Sequence, residues 1–500
     1  MKKNVKNLFV LLTLLIYTTV VAGCEALSKN SSIATNNKVK TESKALINNE
    51  VNEYKMNIQF DPNGNFLYGN EIVNYINKTD KNFDEIYFHI YPNAYQKKET
   101  TPAQFGFDET FPKGFSKGGI DVNNVKVNGK EAKFNVQSAD NTILKIKLDK
   151  SLKSGERIDV SMDFKVQIPE GKDRLSHYNS HFNLGNWYPI AAEYDKKGWH
   201  LDPYYSMGDP FYSDVSNYNV TINTPKEYIV AATGDAVYEK IEGDKKIYNF
   251  KGTKVRDFAW AASNKFKVME KEVEGIRVKS YTDNTDDDTS NLQLSVGEES
   301  IKTFNKYYGK YPYKTYSIVQ TYFPTGMEYP GIVFITNDKR YKESAYFETI
   351  VAHETAHQWW YGVVGDDEVN EAWLDESFAC YSENIYYENK FHNSKYIDTL
   401  KKVYERYAKN MRGNEPILQP VNEFKSDNDY AMLVYYKGAV MLHELRNQVG
   451  DAEFFKILQT FYNKYEFKNA TTSDFLGVVE EVTGKNWESF FDRWLKCKVD

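Results

Sequence analysis

Cysteine is scarce in this chain of 500 residues, which contains only three: Cys24, Cys380 and Cys497. Three cysteines are too few for a disulfide framework, so the fold must depend on apolar cores. We expect Cys380 and Cys497 to be unpaired, buried thiols, and a single bond between them is the alternative.

An excess of basic residues is also absent. The chain has 63 Lys and Arg against 70 Asp and Glu, for a formal net charge of -7. Nucleic acids bind to basic faces, so this balance argues against a nucleic-acid partner. Hydrophobic residues make up 41% of the chain, which is typical of a globular protein, and its length suggests two or three domains.

Apolar runs long enough to span a bilayer are missing beyond the N-terminus. Residues 1–23 have the features of a signal peptide, with three lysines ahead of an apolar stretch at residues 8–21. The stretch ends in Val21-Ala22-Gly23-Cys24, which resembles a bacterial lipobox. The resemblance implies that Cys24 is acylated and anchors the protein to the outer face of a bacterial cell membrane; a plain secretory signal is the alternative.

Hydrophobic periodicity divides the rest of the chain into three parts. Residues 24–50 are polar and predict a flexible tether. Residues 51–270 alternate apolar and polar side chains and predict a β domain. Residues 271–500 are mainly helical in period, with one extended stretch near residues 316–336. Helices are predicted over 292–308, 345–361, 372–387, 433–449 and 452–465.

The predicted helix 345–361 contains the pattern H-E-x-x-H at residues 353–357. Residues i and i+4 of a helix lie about 6 Å apart on one face, so His353 and His357 can bind one metal ion. Glu354 follows the first histidine, where its carboxylate can contact a metal-bound water without ligating the metal. This arrangement is typical of zinc peptidases.

A catalytic zinc site needs a third protein ligand. The metzincin pattern would place a histidine at the position of Val363 and a glycine at that of Trp360, so that route is closed. A carboxylate on the following helix is the alternative, and residues 371–379 supply one. Here the chain resembles the aminopeptidase N family of gluzincin metallopeptidases, whose third ligand is a Glu eighteen residues after the second His, inside W-L-N-E-G-F-A. The resemblance identifies Glu376 as that ligand, with Asp375 and Ser377 in place of Asn and Gly.

Two further motifs of that family follow the expected order. Tyr435 begins Y-Y-K-G-A, which resembles Y-x-K-G-A, and the resemblance assigns it to stabilising the oxyanion. Gly326-Met327-Glu328 resembles the core of G-A-M-E-N, which implies that Glu328 binds the free α-amine of a substrate. A carboxylate suits that task because it forms charge-assisted hydrogen bonds with an ammonium group. Thr325 and Tyr329 depart from the family's Gly and Asn.

The resemblance extends more weakly into the N-terminal half, through segments such as Gly208-Asp209 and Asp257-Phe258-Ala259. It implies an α+β protein: a mostly antiparallel β domain at residues 51–270, then a thermolysin-like catalytic domain at residues 271–500. Most members carry a second acid or amide in the β domain that binds the α-amine, and the sequence identifies no counterpart. The resemblance ends at residues 490–495, where longer members continue into a helical domain that roofs the active site, so we expect an open cleft.

The sequence is compatible with three functions. The leading one is a zinc aminopeptidase that releases N-terminal residues from peptides outside the cell. An endopeptidase or processing protease with an open cleft is the second. A peptide-binding lipoprotein is the third, although a pure binder has no use for Glu354. The imidazoles that bind the metal need hydrogen-bond acceptors for their other ring nitrogens, and the sequence leaves Glu371 and Asp375 as candidates without a choice between them. The sequence does not indicate an oligomeric state.

Overall fold

The computed structural model describes residues 50–283, 285–342, 344–392, 395–411 and 415–498. The predicted signal peptide, its Cys24 and the tether up to residue 49 lie outside the described residues. The membrane anchor therefore stays a prediction. Within the described ranges, no helix is both long and apolar enough to cross a bilayer.

The N-terminal half is built almost entirely of strands. Its strands are β1 (Asn52–Asp61), β2 (Phe66–Ile76), β3 (Phe83–His89), β4 (Gly119–Val127), β5 (Lys130–Glu131), β6 (Phe134–Gln137), β7 (Ile143–Leu152), β8 (Arg157–Gln167), β9 (Leu175–Tyr178), β10 (His181–Leu184), β11 (Ile190–Ala191), β12 (Tyr194–Asp195), β13 (Gly198–Trp199), β14 (Ser216–Pro225), β15 (Ile229–Ala232), β16 (Asp235–Glu242), β17 (Lys245–Val255), β18 (Trp260–Ser263), β19 (Phe266–Val273) and β20 (Ile276–Asp283). They include an eight-stranded sheet in the order β16-β17-β14-β1-β2-β8-β4-β5.

The alternation seen in the sequence explains this sheet. Tyr54, Met56, Ile58 and Phe60 of β1 are buried, and the residues between them are exposed. Only the β1–β14 pair is parallel among the pairings of the eight-stranded sheet in the described residues; the others are antiparallel. The prediction of a mostly antiparallel β domain is confirmed.

The C-terminal half carries most of the helices. The remaining strands are β21 (Thr315–Thr321), β22 (Gly326–Met327), β23 (Ile332–Thr336), β24 (Val364–Gly365) and β25 (Lys468–Asn469). The helices, with α1 in the β-rich half, are α1 (Phe107–Thr110), α2 (Asp287–Tyr307), α3 (Lys339–Lys342), α4 (Tyr346–Ala356), α5 (Trp373–Phe391), α6 (Tyr396–Met411), α7 (Asp427–Tyr430), α8 (Gly438–Val449), α9 (Asp451–Tyr465), α10 (Thr472–Thr483) and α11 (Glu488–Leu495). Short 3₁₀ helices span Tyr91–Gln96 and Val421–Glu423, and a π-helix spans Ala431–Lys437.

One predicted helix is shorter than its pattern indicates. The range 345–361 forms a helix only as far as Ala356, and His357 caps it. The chain then turns, because Trp359 and Trp360 are both wholly buried and Tyr361 adopts a φ of 117°. The second histidine therefore lies at the end of the helix, where its ring is held by the turn that follows.

A five-stranded sheet, β19-β20-β21-β23-β22, lies between two apolar cores. Val319 and Phe334 belong to the core of the β-rich half. Ile318, Val333 and Ile335 belong to the core of the helical half. Both faces of this sheet are thus covered, and its edge strand β22 leads directly into Glu328. The domain boundary at residue 270 stays a prediction.

Neither described cysteine is paired. Cys380 and Cys497 are both free, as expected, and Cys380 is buried. Cys497, in contrast, is only half-buried, because it lies beyond the end of α11. The expectation of two buried thiols was wrong for Cys497, whose sulfur accepts a hydrogen bond from Lys437 Nζ at 3.2 Å.

Candidate active site

His353 in α4 and His357 at its C-terminal cap point at one position. Their Nε2 atoms lie 3.1 Å apart. Glu376, in the first turn of α5, places its Oε2 atom 3.3 Å from each of these nitrogens. The ligand atoms of a tetrahedral ion with bonds of 2.0–2.1 Å are about 3.3 Å apart, so the triangle has the size of three zinc ligands. The structure thus brings together the three metal ligands predicted from the sequence.

Hydrogen bonds at the Nδ1 atoms fix the orientation of both imidazole rings. His353 Nδ1 donates to Glu383 Oε1 at 2.8 Å, and His357 Nδ1 donates to the carbonyl oxygen of Trp360 at 3.0 Å. Because each Nδ1 carries the proton, each Nε2 presents its lone pair to the metal position.

Glu371 and Asp375, the two candidate hydrogen-bond acceptors for the imidazoles, do not have that role. Glu371 accepts the backbone N–H of Thr472 at 2.6 Å, and Asp375 accepts that of Glu376 at 2.6 Å. Sequence reasoning missed Glu383, although its position two helical turns after Glu376 on the same face was a usable signal.

The charges around this triad favour a dication. Burial by itself lowers the pKa of His357, but the carboxylates of Glu328 and Glu376 raise it to about 10. Burial by itself raises the pKa of Glu376, but the imidazoles of His357 and His353 hold it well below its usual range. Buried carboxylates thus outnumber the two imidazoles, and a metal ion that displaces the imidazole protons satisfies the same acids.

Glu354 lies beside the metal position without belonging to the triad. Its side chain is 6% exposed, and its Oε2 atom has no hydrogen-bond partner among the described residues. Burial raises its pKa to about 7, against the lowering effect of His353 and His357. A buried carboxylate with a free oxygen beside a metal site has the position and the proton affinity of a general base.

The absence of a side chain at Gly326 leaves room for the Glu354 carboxylate. A Cβ atom at Gly326 would lie 2.2 Å from Glu354 Oε1, which is far inside contact distance. Gly326→Ala is therefore expected to displace the carboxylate and lower kcat by about 10²-fold, with zinc content unchanged. Steady-state kinetics and metal analysis of the purified variant would measure both.

The matched control for this variant is Gly477→Ala. Gly477 lies within helix α10, and nothing is within 4 Å of a Cβ atom there. Wild-type kcat and equal or slightly higher stability are expected for the control. Wild-type kcat in Gly326→Ala would show that Glu354 does not depend on this glycine.

Tyr435 reaches the triad from the π-helix. Its hydroxyl donates to Glu376 Oε1, and its ring stacks on that of His353 with centroids 5.8 Å apart. A departure from the family pattern supports this segment: Ser377 Oγ donates to the carbonyl of Val434 at 2.6 Å. A Cβ at Gly438 would lie 1.9 Å from that oxygen, so Ser377 in this position requires a glycine at 438.

Glu328 approaches from strand β22. Gln358, the residue after His357, donates to the carbonyl oxygens of Glu328 and Tyr329 at 3.3 and 3.2 Å and accepts from Gly331 N–H at 2.7 Å. The Glu328 side chain is 3% exposed, and its Oε1 atom has no partner among the described residues. Burial, followed by the charge of Asp209, raises its pKa well above the usual range.

The β-rich half contributes groups to the same cleft, whose volume is about 290 Å³. Oxygen atoms of Asp209, Glu328 and Glu376 lie within 4.8 Å of one another. Arg174 donates to Asp209 Oδ1 and to Gln104 Oε1, and its Nε contacts Met327 Sδ at 3.1 Å. Asp209 and Gln104 are thus an acid and an amide of the β-rich half that line the cleft, and no local pattern in the sequence distinguishes them.

A strand-rich half, a helical half and a His–His–Glu triad with an adjacent glutamate are the arrangement expected of zinc metallopeptidases of the gluzincin class. Residues 292–494 match the Peptidase family M1 domain. The predicted resemblance to aminopeptidase N is confirmed, and the family indicates a catalytic zinc ion.

Similar proteins include plant and bacterial aminopeptidases. Aminopeptidase M1-A of Oryza sativa subsp. japonica is 26% identical over 298 residues, which cover 56% of this chain and 34% of the relative. Aminopeptidase N of Streptomyces lividans is 28% identical over 200 residues, which cover 37% of this chain and 23% of the relative. The matched part of the chain thus spans about a third or less of the length of these relatives.

Solved structures agree on the fold. The M1 zinc metallopeptidase of Deinococcus radiodurans superposes with a TM-score of 0.62 at 17% identity, covering 90% of this chain and 95% of that one. A mutant of that protein, matched at 16% identity over 89% and 94% of the two chains with a TM-score of 0.62, was solved bound to a Tyr-Ser-Ala substrate. The succession of a β-rich half and a helical half is therefore shared.

Proposed function

We propose that this protein is a zinc aminopeptidase that removes residues from the N-termini of peptides. The observation that carries the proposal is the position of Glu328 and Asp209, whose carboxylate oxygens lie within 4.8 Å of zinc ligand Glu376. An ammonium group held by these acids would neutralise buried negative charge that sits beside the metal.

Geometry then selects the bond that is cut. In a peptide the α-amine nitrogen lies about 2.5 Å from the first carbonyl carbon. A substrate whose amine is held at Glu328 and Asp209 therefore presents its first peptide bond, and no later one, to the His–His–Glu triad. The Deinococcus relative was solved bound to a Tyr-Ser-Ala substrate, which supports short peptides as the substrate class.

The triad, Glu354 and Tyr435 have different roles in the proposed reaction. Zinc bound by the triad would polarise the scissile carbonyl and lower the pKa of a bound water. Glu354 accepts the proton of the attacking water at its free oxygen and delivers it to the departing amine nitrogen. Tyr435, whose hydroxyl already reaches the triad, donates a hydrogen bond to the carbonyl oxygen as negative charge develops there.

The proposal is tested with one peptide in free and N-acetylated form, incubated with the zinc-loaded protein with and without chelator. The free peptide should lose its first residue, the acetylated one should be cut far more slowly, and chelator should abolish both reactions. Equal cleavage of both peptides at internal bonds would instead identify an endopeptidase, and binding without cleavage would identify a peptide-binding protein.

The variant Glu328→Gln extends this test to the residue proposed to bind the α-amine. Losing the partner of a buried charge costs about 2–5 kcal/mol, so kcat/KM for the free peptide should fall by about 30-fold or more. The acetylated peptide serves as the internal control, since it brings no charge to Glu328. A variant that loses activity equally on both peptides would contradict amine recognition by this residue.

A further inference from the structure

A second cluster of acids is buried beside the active site and takes no part in the mechanism above. Asp366 and Glu368 lie in the loop that joins β24 to α5, and Asp375 lies in the first turn of α5. One oxygen atom of each residue lies within 4.8 Å of the others, and the three side chains are only 3%, 1% and 1% exposed.

The oxygens of this cluster lack donors. Both side-chain oxygens of Asp366, both of Glu368 and Oδ2 of Asp375 have no hydrogen-bond partner among the described residues. Buried carboxylates are normally paired or hydrogen-bonded, because an isolated buried charge is very costly. One oxygen from each residue faces a common small volume, and these unpartnered buried carboxylates need a positive charge between them.

The neighbouring arginine does not meet this need. Arg256 packs against Gly365, immediately before Asp366. Its Nε donates to the carbonyl of Tyr361 at 2.8 Å and its Nη1 to the carbonyl of Ser213 at 2.6 Å, while further bonds go to Asn469 and Lys468. Its guanidinium is therefore committed to backbone and amide oxygens that tie the β-rich half to the loop before β24 and to β25.

We propose that Asp366, Glu368 and Asp375 form a second cation site, distinct from the zinc triad, that takes a hard divalent ion of the calcium class. Only carboxylate oxygens are offered, which excludes the imidazole and thiolate ligands that favour zinc. The cluster presents five free oxygens in a buried position. Calcium accepts six to eight oxygens in irregular geometry, whereas magnesium keeps several waters in a strict octahedron.

The electrostatics of the loop agree with this geometry. Burial raises the pKa of Asp366 well above its usual range, and Arg256 only partly offsets the effect. Burial, followed by the charge of Asp366, also raises the pKa of Glu368 well above its usual range. A dication between the two removes this mutual repulsion.

The site would also position the catalytic ion. Asp375 Oδ1 accepts the backbone N–H of Glu376, the predicted third zinc ligand, at 2.6 Å. A cation held by the other oxygen of Asp375 would fix the first turn of α5 and hence the third ligand of the triad. This inference concerns metal content and does not rest on the aminopeptidase proposal.

The test is metal analysis of the zinc-loaded full chain after equilibration with calcium and desalting. We expect about one zinc and one calcium per chain in the wild type. The double variant Asp366→Asn/Glu368→Gln should lose the calcium and keep the zinc. In the wild type, calcium should raise the thermal midpoint of protein previously treated with a calcium-selective chelator, and in the double variant it should not.

Asp367→Asn is the matched control, because Asp367 lies between the two ligands and is also buried. Its Oδ2 atom accepts from Asn370 Nδ2 at 2.8 Å, away from the cluster. The control should keep its calcium. Wild-type protein without calcium and with an unchanged midpoint, a second zinc in place of calcium, or calcium retained in the double variant would each overturn the proposal. The wild-type measurements decide it even if the double variant does not fold.

Discussion

Glu354→Gln is expected to lower kcat by about 10²–10⁴-fold while the protein still holds about one zinc ion per chain. The glutamine keeps the size of the side chain and removes the oxygen that accepts the proton. The triad is untouched, because Glu354 is not among the three ligand residues. Kinetics on a free peptide, combined with metal analysis, would measure both quantities.

His357→Ala is the contrasting variant for this experiment. It removes one corner of the triangle formed by the two imidazole nitrogens and Glu376 Oε2. Zinc and activity should therefore disappear together, whereas Glu354→Gln should separate them. Turnover at the wild-type rate in Glu354→Gln would assign the role of the base to another residue.

Tyr435→Phe is expected to lower kcat by about 10²–10³-fold, with a much smaller change in KM. The hydroxyl that reaches Glu376 Oε1 lies on the metal side of the cleft, so its loss removes a donor from the position where negative charge develops. The phenyl ring retains the stacking on His353. Zinc content should stay at the wild-type level.

Tyr436→Phe provides the matched control, since this neighbouring tyrosine is also half-buried and lines the same cleft. Its hydroxyl is expected to be dispensable, and kcat should stay within about two-fold of wild type. If Tyr436→Phe lost activity and Tyr435→Phe kept it, the oxyanion role would belong to Tyr436.

Short-range patterns in the sequence were reliable where the chemistry depends on neighbours along a helix. His353 and His357 are one turn apart, so their convergence on one metal follows from helical geometry. The alternation in β1 follows in the same way from the two-residue period of a strand. Glu376 required the resemblance as well, because it lies on the next helix.

Local patterns failed where tertiary packing competes with them. The helical period of residues 345–361 continues past Ala356, yet the helix ends there. Burial of Trp359 and Trp360 outweighs the few tenths of a kcal/mol by which helix propensities differ at each residue. The same turn supplies the carbonyl of Trp360 that orients His357.

The sequence by itself therefore predicted the two histidines, the adjacent Glu354 and the order of a β-rich and a helical half, and the family resemblance added Glu376 and Tyr435. Only the tertiary structure decided which distant groups surround them: Glu383 behind His353, Asp209 and Gln104 facing Glu328, and the buried cluster of Asp366, Glu368 and Asp375. The physical reason is the range of the forces involved. Helix and strand periods act between near neighbours, whereas burial and charge bring together side chains that no local period relates.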